Sequence, residues 1–208
     1  MNPLTPPNLV TLLRIALIPG LVICSVEARE VPALRWVALC VLLVSLASDV
    51  LDGWLARRRG QTSPLGAFLD PLADKLLFTA LFICLALPIW PSASGLPGRL
   101  LPLWAAVVVI SRDLYISLGA LIVFMAAGGV QVHPSRCGKL ATVVFAALGV
   151  AALAGLPFLL KESLMWASAA LAWVTWIQYT TDGMRQLASA RPPMDDSPRV
   201  RAPGEEAP

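Results

Sequence analysis

Charge is what this sequence has least of. Only 14% of its 208 residues are Asp, Glu, Lys or Arg, against roughly 25% in soluble domains. So few charges cannot cover a water-exposed surface. Histidine occurs once, as His133 beside Pro134, and one imidazole in a solvated loop cannot build a zinc site unaided. The four cysteines, Cys24, Cys40, Cys84 and Cys137, lie in or beside apolar runs without CxxC spacing. They read as small buried hydrophobes rather than metal or redox groups, and a disulfide-stapled secreted module is excluded. A net charge of +3 drawn from 16 Lys and Arg leaves no basic stripe for tracking nucleic-acid phosphates. What the chain does have is apolar bulk: 57% hydrophobic residues and a mean hydropathy of +0.73. That excludes disorder over most of its length. The reading is an all-α, polytopic membrane protein.

A helix needs about 20 mostly apolar residues to cross a bilayer. Six stretches qualify, at about 9–26, 33–51, 68–90, 100–126, 139–160 and 163–182, the first preceded by a short N-terminal amphipathic segment. The first span has the length of a signal peptide, but no Lys or Arg precedes Arg14 and no small-x-small cleavage site is clear. Residues 191–208 hold five prolines, four acids and three arginines, the composition of a disordered tail. The organisation expected is a membrane domain over 1–187 and a cytoplasmic tail over 188–208. One side of the membrane would carry Arg57, Arg58, Arg59, Arg136, Lys139, Arg185, Arg191, Arg199 and Arg201. The other would carry Arg29, Arg35, Arg99 and Lys161. Nine against four places both termini in the cytoplasm by the positive-inside rule. Trp36, Trp90, Trp104 and Trp166, toward span ends, read as interfacial anchors.

Several charges fall inside these spans or at their ends: Arg14, Asp49, Asp52, Asp70, Asp74, Lys75, Arg112 and Asp113. Each costs about 2.5 kcal/mol or more facing lipid at mid-membrane, so they must face one another, a metal or a wet cavity. Asp49 and Asp52 are three apart, and Asp70 and Asp74 four apart; each pair shares a helical face. The short link through Arg57-Arg58-Arg59-Gly60 and Pro64 makes the two helices antiparallel neighbours, so four carboxylates converge near the cytoplasmic surface. Like charges this close do not all ionise without cations. Oxygen donors without nearby His or Cys point to Mg²⁺ or Mn²⁺. Gly53, Ala56 and Gly66 leave a floor without bulk, suited to a ligand or, alternatively, to a packing seam. Arg57 offers a planar fork to a phosphate.

The run Asp49-x2-Asp52-Gly53-x2-Ala56-Arg57-x8-Gly66-x3-Asp70-x3-Asp74 resembles, without departure, the signature of the CDP-alcohol phosphatidyltransferases. Six spans with the signature between the second and third resemble that family's architecture too, and the similarity covers about residues 5–187. The resemblance implies transfer of a phosphatidyl group from CDP-diacylglycerol to an alcohol, with release of CMP. Asp49, Asp52 and Asp70 would ligate two metal ions. Asp74 would complete the site and act as the base for the acceptor hydroxyl. Gly53, Ala56, Arg57 and Gly66 would line the CDP site. A homodimer in a bacterial inner membrane, with its active site at the cytoplasmic face, is also implied. The chemistry agrees, since phosphoryl transfer needs a neutralised diphosphate, an in-line nucleophile and a proton acceptor.

The acceptor stays open between two glycerol-type alcohols. Asp70-Pro71-Leu72-Ala73-Asp74-Lys75 and Pro7-Asn8-Leu9-Val10-Thr11-Leu12-Leu13-Arg14 resemble the branch making phosphatidylglycerophosphate and cardiolipin. Glycerol 3-phosphate is the favoured acceptor. Ser111-Arg112-Asp113 looks closer to the cardiolipin synthases, whose acceptor is phosphatidylglycerol. Arg112, Arg136, Lys139 and Lys75 suit an anionic acceptor. Plainer roles stand beside that one: Arg112 pairing with Asp113, Arg136 and Lys139 as loop charges, and Lys75 neutralising the acids. Asn8 and Thr11 read as helix caps, with substrate contacts as the alternative. A cation transporter or channel is the rival class, because intramembrane acids mark ion pathways, but the acidic cluster occurs once and no internal repeat accompanies it.

Overall fold

The computed structural model describes residues 6–59, 64–91, 98–127 and 136–189, with side chains over 11–48, 72–91, 98–123, 125 and 136–185. Six helices carry nearly all of it: α1 (Pro6–Glu27), α2 (Leu34–Arg59), α3 (Pro64–Ala86), α4 (Leu103–Ala127), α5 (Arg136–Ala154) and α6 (Phe158–Ser189). Among the described residues the sole extended pairing is an antiparallel bridge between Trp90 and Gly98. The all-α expectation holds. No separate amphipathic element precedes the first span among the described residues, since α1 is one continuous helix from Pro6. His133 and residues 190–208 of the expected tail lie outside the described residues. The first two tail residues, 188 and 189, belong to α6.

The helix ends sit where backbone chemistry puts them. Proline opens α1 and α3, positions where its missing N–H is no loss. The third span therefore starts four residues earlier than hydropathy alone suggests, and it stops at Ala86 because Pro88 follows. The break between the last two spans differs from expectation more clearly. It falls at Gly155-Leu156-Pro157, not at Lys161-Glu162. Gly155 takes φ +71° and donates its N–H to Ala152 O at 3.3 Å, while Leu156 N–H reaches Ala151 O at 3.0 Å. This is the Schellman closure that terminates a helix through a left-handed glycine.

Helix packing is antiparallel between α3 and α4, where Leu100 and Leu101 N–H both donate to Leu85 O at 3.0 Å. It is parallel between α4 and α6, where Trp104 meets Trp166 and, further along, Tyr115 meets Trp176. Leu42 of α2, Leu81 of α3 and Gly149 of α5 meet at one level, where a Cβ on Gly149 would lie 2.8 Å from Leu81 Cδ2. Leu21, Leu77, Phe82, Phe145, Leu148 and Leu153 extend this core. The alternation sends the C-terminal ends of α2 and α4 and the N-terminal ends of α3 and α5 to the same end of the bundle.

Large apolar side chains face outward as well as inward: Leu114 is 66% exposed, Met125 77% and Leu159 79%. Such a surface suits hydrocarbon. Leu103–Val123 within α4 and Arg136–Ala154 are long and apolar enough to cross a membrane, and Leu34–Ser48 is apolar over a shorter length. Trp36, Trp104 and Trp166 are exposed near helix ends, as anchors would be. Trp90 is not. It is fully buried and its Nε1–H donates to Cys84 O at 2.8 Å, closing the turn after α3. Cys84 is buried and Cys24 and Cys137 half-buried, but Cys40 faces outward from α2.

Candidate active site

The signature is carried by two helices. Asp49, Asp52, Gly53, Ala56 and Arg57 lie on the last turns of α2, and Gly66, Asp70 and Asp74 on the first turns of α3. Both helices run unbroken through it, so the i, i+3 and i, i+4 spacings become spacings on helical surfaces. The side chains of Asp49, Asp52, Gly53, Ala56, Arg57, Gly66 and Asp70 lie outside the described residues. Asp74 and Lys75 are described and both are half-buried. Among the described residues no three His, Cys, Asp or Glu side chains stand together as a metal site.

From Lys75 a polar chain crosses to α4. The Lys75 Nζ donates to Ser117 Oγ, and the Ser117 hydroxyl donates in turn to the backbone carbonyl of Asp113 at 2.6 Å. Lys75 is within electrostatic reach of Asp113, Arg112 and Asp74, so its ammonium feels both a signature carboxylate and the charged pair on α4. Arg112 Nη1 lies 2.6 Å from Asp113 Oδ1, the two side chains being 9% and 15% exposed. Arg112 Nε–H donates to Thr175 Oγ1 of α6 at 3.2 Å. Its guanidinium carbon also lies 5.5 Å from the centre of the Phe145 ring on α5, within cation–π range.

The charges set in apolar runs that are described turn inward, as the cost of an unpaired charge among apolar groups requires. Arg14 is 1% exposed. Arg112 does pair with Asp113, the plainer of its two expected roles, and keeps further donors. Arg136 and Lys139 occupy the first turn of α5 and are exposed; the structure brings neither into the Lys75–Arg112 network. Thr11 is not a cap. It lies in the second turn of α1 and is 1% exposed, because the helix begins at Pro6. Asn8 is also inside α1, and its side chain lies outside the described residues. Ser117, Phe145 and Thr175 had no sequence signal beyond their places in apolar runs, and together with Asp113 they hold the two cations.

The model of the CDP-alcohol phosphatidyltransferase family matches residues 4–176. The chain belongs to that family. A CDP-diacylglycerol–glycerol-3-phosphate 3-phosphatidyltransferase of Bacillus subtilis is 32% identical over 163 residues, spanning 73% of this chain and 78% of that protein. An enzyme of the same name from Pseudomonas fluorescens is 32% identical over 197 residues, spanning 87% of this chain and 95% of the relative. A Mycobacterium tuberculosis protein, whose name offers cardiolipin synthase as an unproven assignment, is 33% identical over 142 residues. The match covers 68% of this chain and 61% of that protein. Membership in a phosphatidyltransferase family displaces the transporter reading. It also accounts for a carboxylate signature at the mouth of an apolar bundle: a lipid donor keeps its acyl chains in the bilayer and its nucleotide outside.

Proposed function

We propose that this chain transfers the phosphatidyl group of CDP-diacylglycerol to glycerol 3-phosphate, releasing CMP, and so acts as a phosphatidylglycerophosphate synthase. The observation that carries the reading is the complete eight-residue signature at the C-terminal end of α2 and the N-terminal end of α3, in a chain with relatives that bear that enzyme's name. The acceptor hydroxyl oxygen forms a bond to the phosphatidyl phosphorus. The bridging P–O bond breaks, its electron pair leaves with CMP, and Asp74 takes the hydroxyl proton. Arg57 holds the nucleotide diphosphate, with Gly53, Ala56 and Gly66 giving it close access to the helices.

Asp49, Asp52, Asp70 and Asp74 offer only oxygen donors, a set that fits two Mg²⁺ or Mn²⁺ ions. Such ions, when bound, neutralise charge on the attacking and leaving oxygens. Arg112, Arg136, Lys139 and Lys75 provide the positive field for the acceptor phosphate.

In the bilayer all six helices cross and form the membrane domain, and the cytoplasmic tail begins after α6 ends at Ser189. Both termini and the site lie at the cytoplasmic face of a bacterial inner membrane, and the enzyme works as a homodimer. The charge asymmetry of the loops supports this orientation.

The test supplies purified enzyme and CDP-diacylglycerol with glycerol 3-phosphate, phosphatidylglycerol, serine or inositol in separate reactions. Phosphatidylglycerophosphate from glycerol 3-phosphate alone is the expected product. Cardiolipin from phosphatidylglycerol, without phosphatidylglycerophosphate, would move the chain to the cardiolipin synthases, the reading that Ser111-Arg112-Asp113 favours.

A further inference from the structure

Arg112 is a buried cation held on three sides, and the third holder lies far away in sequence. Its Nε–H goes to Thr175 Oγ1 and one Nη1 proton to Asp113, while Phe145 lies against its face. Thr175 is fully buried and has one hydroxyl proton, which it gives to its own helix, at Leu171 O (2.8 Å) or Ala172 O (3.0 Å). Its lone pairs therefore face a guanidinium that can only donate. That direction is forced. Among the described residues Nη2 has no acceptor, in a guanidinium that is only 9% exposed. A guanidinium with its orientation already set loses less freedom when it binds an oxyanion.

We propose that Thr175 is a positioning residue for the acceptor: with Phe145 it fixes the Arg112 guanidinium so that Nη2 meets the phosphate of glycerol 3-phosphate. The inference rests on the acceptor reading above. α6 thereby takes part in acceptor recognition without touching the acceptor, and the parallel packing of α6 against α4 sets the fork's angle.

Steady-state kinetics of the full-length enzyme in mixed micelles test it, with product identity for the wild type determined first. Thr175→Val keeps the shape and removes the acceptor atom. It should raise KM for glycerol 3-phosphate about tenfold, leaving kcat and the KM for CDP-diacylglycerol within about twofold. Thr175→Ser should restore the wild-type KM, because the hydroxyl returns. Phe145→Leu, a second and independent variant, should raise the same KM selectively even where Thr175→Val cannot be recovered folded. An unchanged acceptor KM in either folded variant, or an equal loss toward both substrates, overturns the positioning role. Wild-type enzyme that makes only cardiolipin overturns the acceptor reading instead. The variants are then measured with phosphatidylglycerol, where a selective KM rise supports positioning of its phosphodiester and no selective rise overturns it.

Discussion

At the scale of single residues, Lys75 joins two parts of the site. One side is the signature carboxylate next to it in sequence, the other the Arg112–Asp113 pair reached through Ser117. A hydrogen bond from a charged donor contributes about 1.5–3 kcal/mol, so Lys75→Met should lower kcat/KM for the acceptor by roughly 10- to 150-fold. Ser117→Ala should cost less, since the ammonium keeps its charge near Asp74 and Asp113. Undiminished kcat/KM in the Lys75→Met enzyme would reduce the lysine to a bystander. The four carboxylates make a separate demand. In the proposed site their mutual repulsion needs cations, so EDTA should abolish turnover and Mg²⁺ or Mn²⁺ restore it. Asp70→Asn should be inactive with an unchanged melting profile, as it removes a charge and almost no volume. Activity that survives rigorous chelation would refute the metal assignment.

Sequence reading served these residues unevenly, for physical reasons. The acids were legible because ionised groups in an apolar run carry a cost that only a partner or a function offsets. The Arg112–Asp113 pair was less so, because adjacent helical residues do not face each other; the long arginine stem makes the contact. Thr175 and Phe145 were illegible, since an isolated hydroxyl or ring in an apolar helix has no charge cost to advertise it. Trp90 misled for a related reason. Position near a span end suggests an anchor, but the bridge to Gly98 and the bond to Cys84 O fold the indole into the core.

At the scale of elements, boundaries were the weakest part of the sequence reading and the strongest demonstration of local chemistry. Hydropathy carries α5 and α6 across Gly155-Leu156-Pro157 with no dip, so a charge pair looked like the break. Backbone geometry decides otherwise. Arg35 reinforces the stop by donating to Leu153 O at 2.6 Å, a carbonyl that the end of α5 leaves orphaned, and to Ala152 O at 2.8 Å, which also accepts from Gly155 N–H. A Cβ on Gly155 would lie 3.0 Å from Arg35 Nη2. Gly155→Ala therefore meets two obstacles, a left-handed backbone costing about 1–2 kcal/mol and the arginine. Denaturation in detergent should show a loss of about 1–3 kcal/mol, while the same change at Gly20, where nothing lies within 4 Å, should show none. Equal stability of the two variants would mean that the α5 stop does not depend on the glycine.

At the scale of the whole molecule, one asymmetry organises everything above. On the proposed orientation, the C-terminal end of α2 and the N-terminal end of α5 carry Arg57, Arg58, Arg59, Arg136 and Lys139 on one side, while the opposite side holds Arg29, Arg35, Arg99 and Lys161. Arg35 is tied into the α5 cap, so the far side has one cation fewer facing water than a count suggests. On the proposed function, the nucleotide comes from the cytoplasm and the donor's lipid tails from the bilayer, so the site opens on that face. Orientation and function are thus a single claim with a direct check. In a background lacking the four native cysteines, Arg136→Cys and Arg185→Cys should be shielded from a membrane-impermeant maleimide in intact cells and labelled after permeabilisation. Arg29→Cys and Lys161→Cys should label in intact cells. Residues 136 and 161 bracket α5, so labelling both from the same side would remove α5 from the bilayer and leave the six-crossing arrangement untenable.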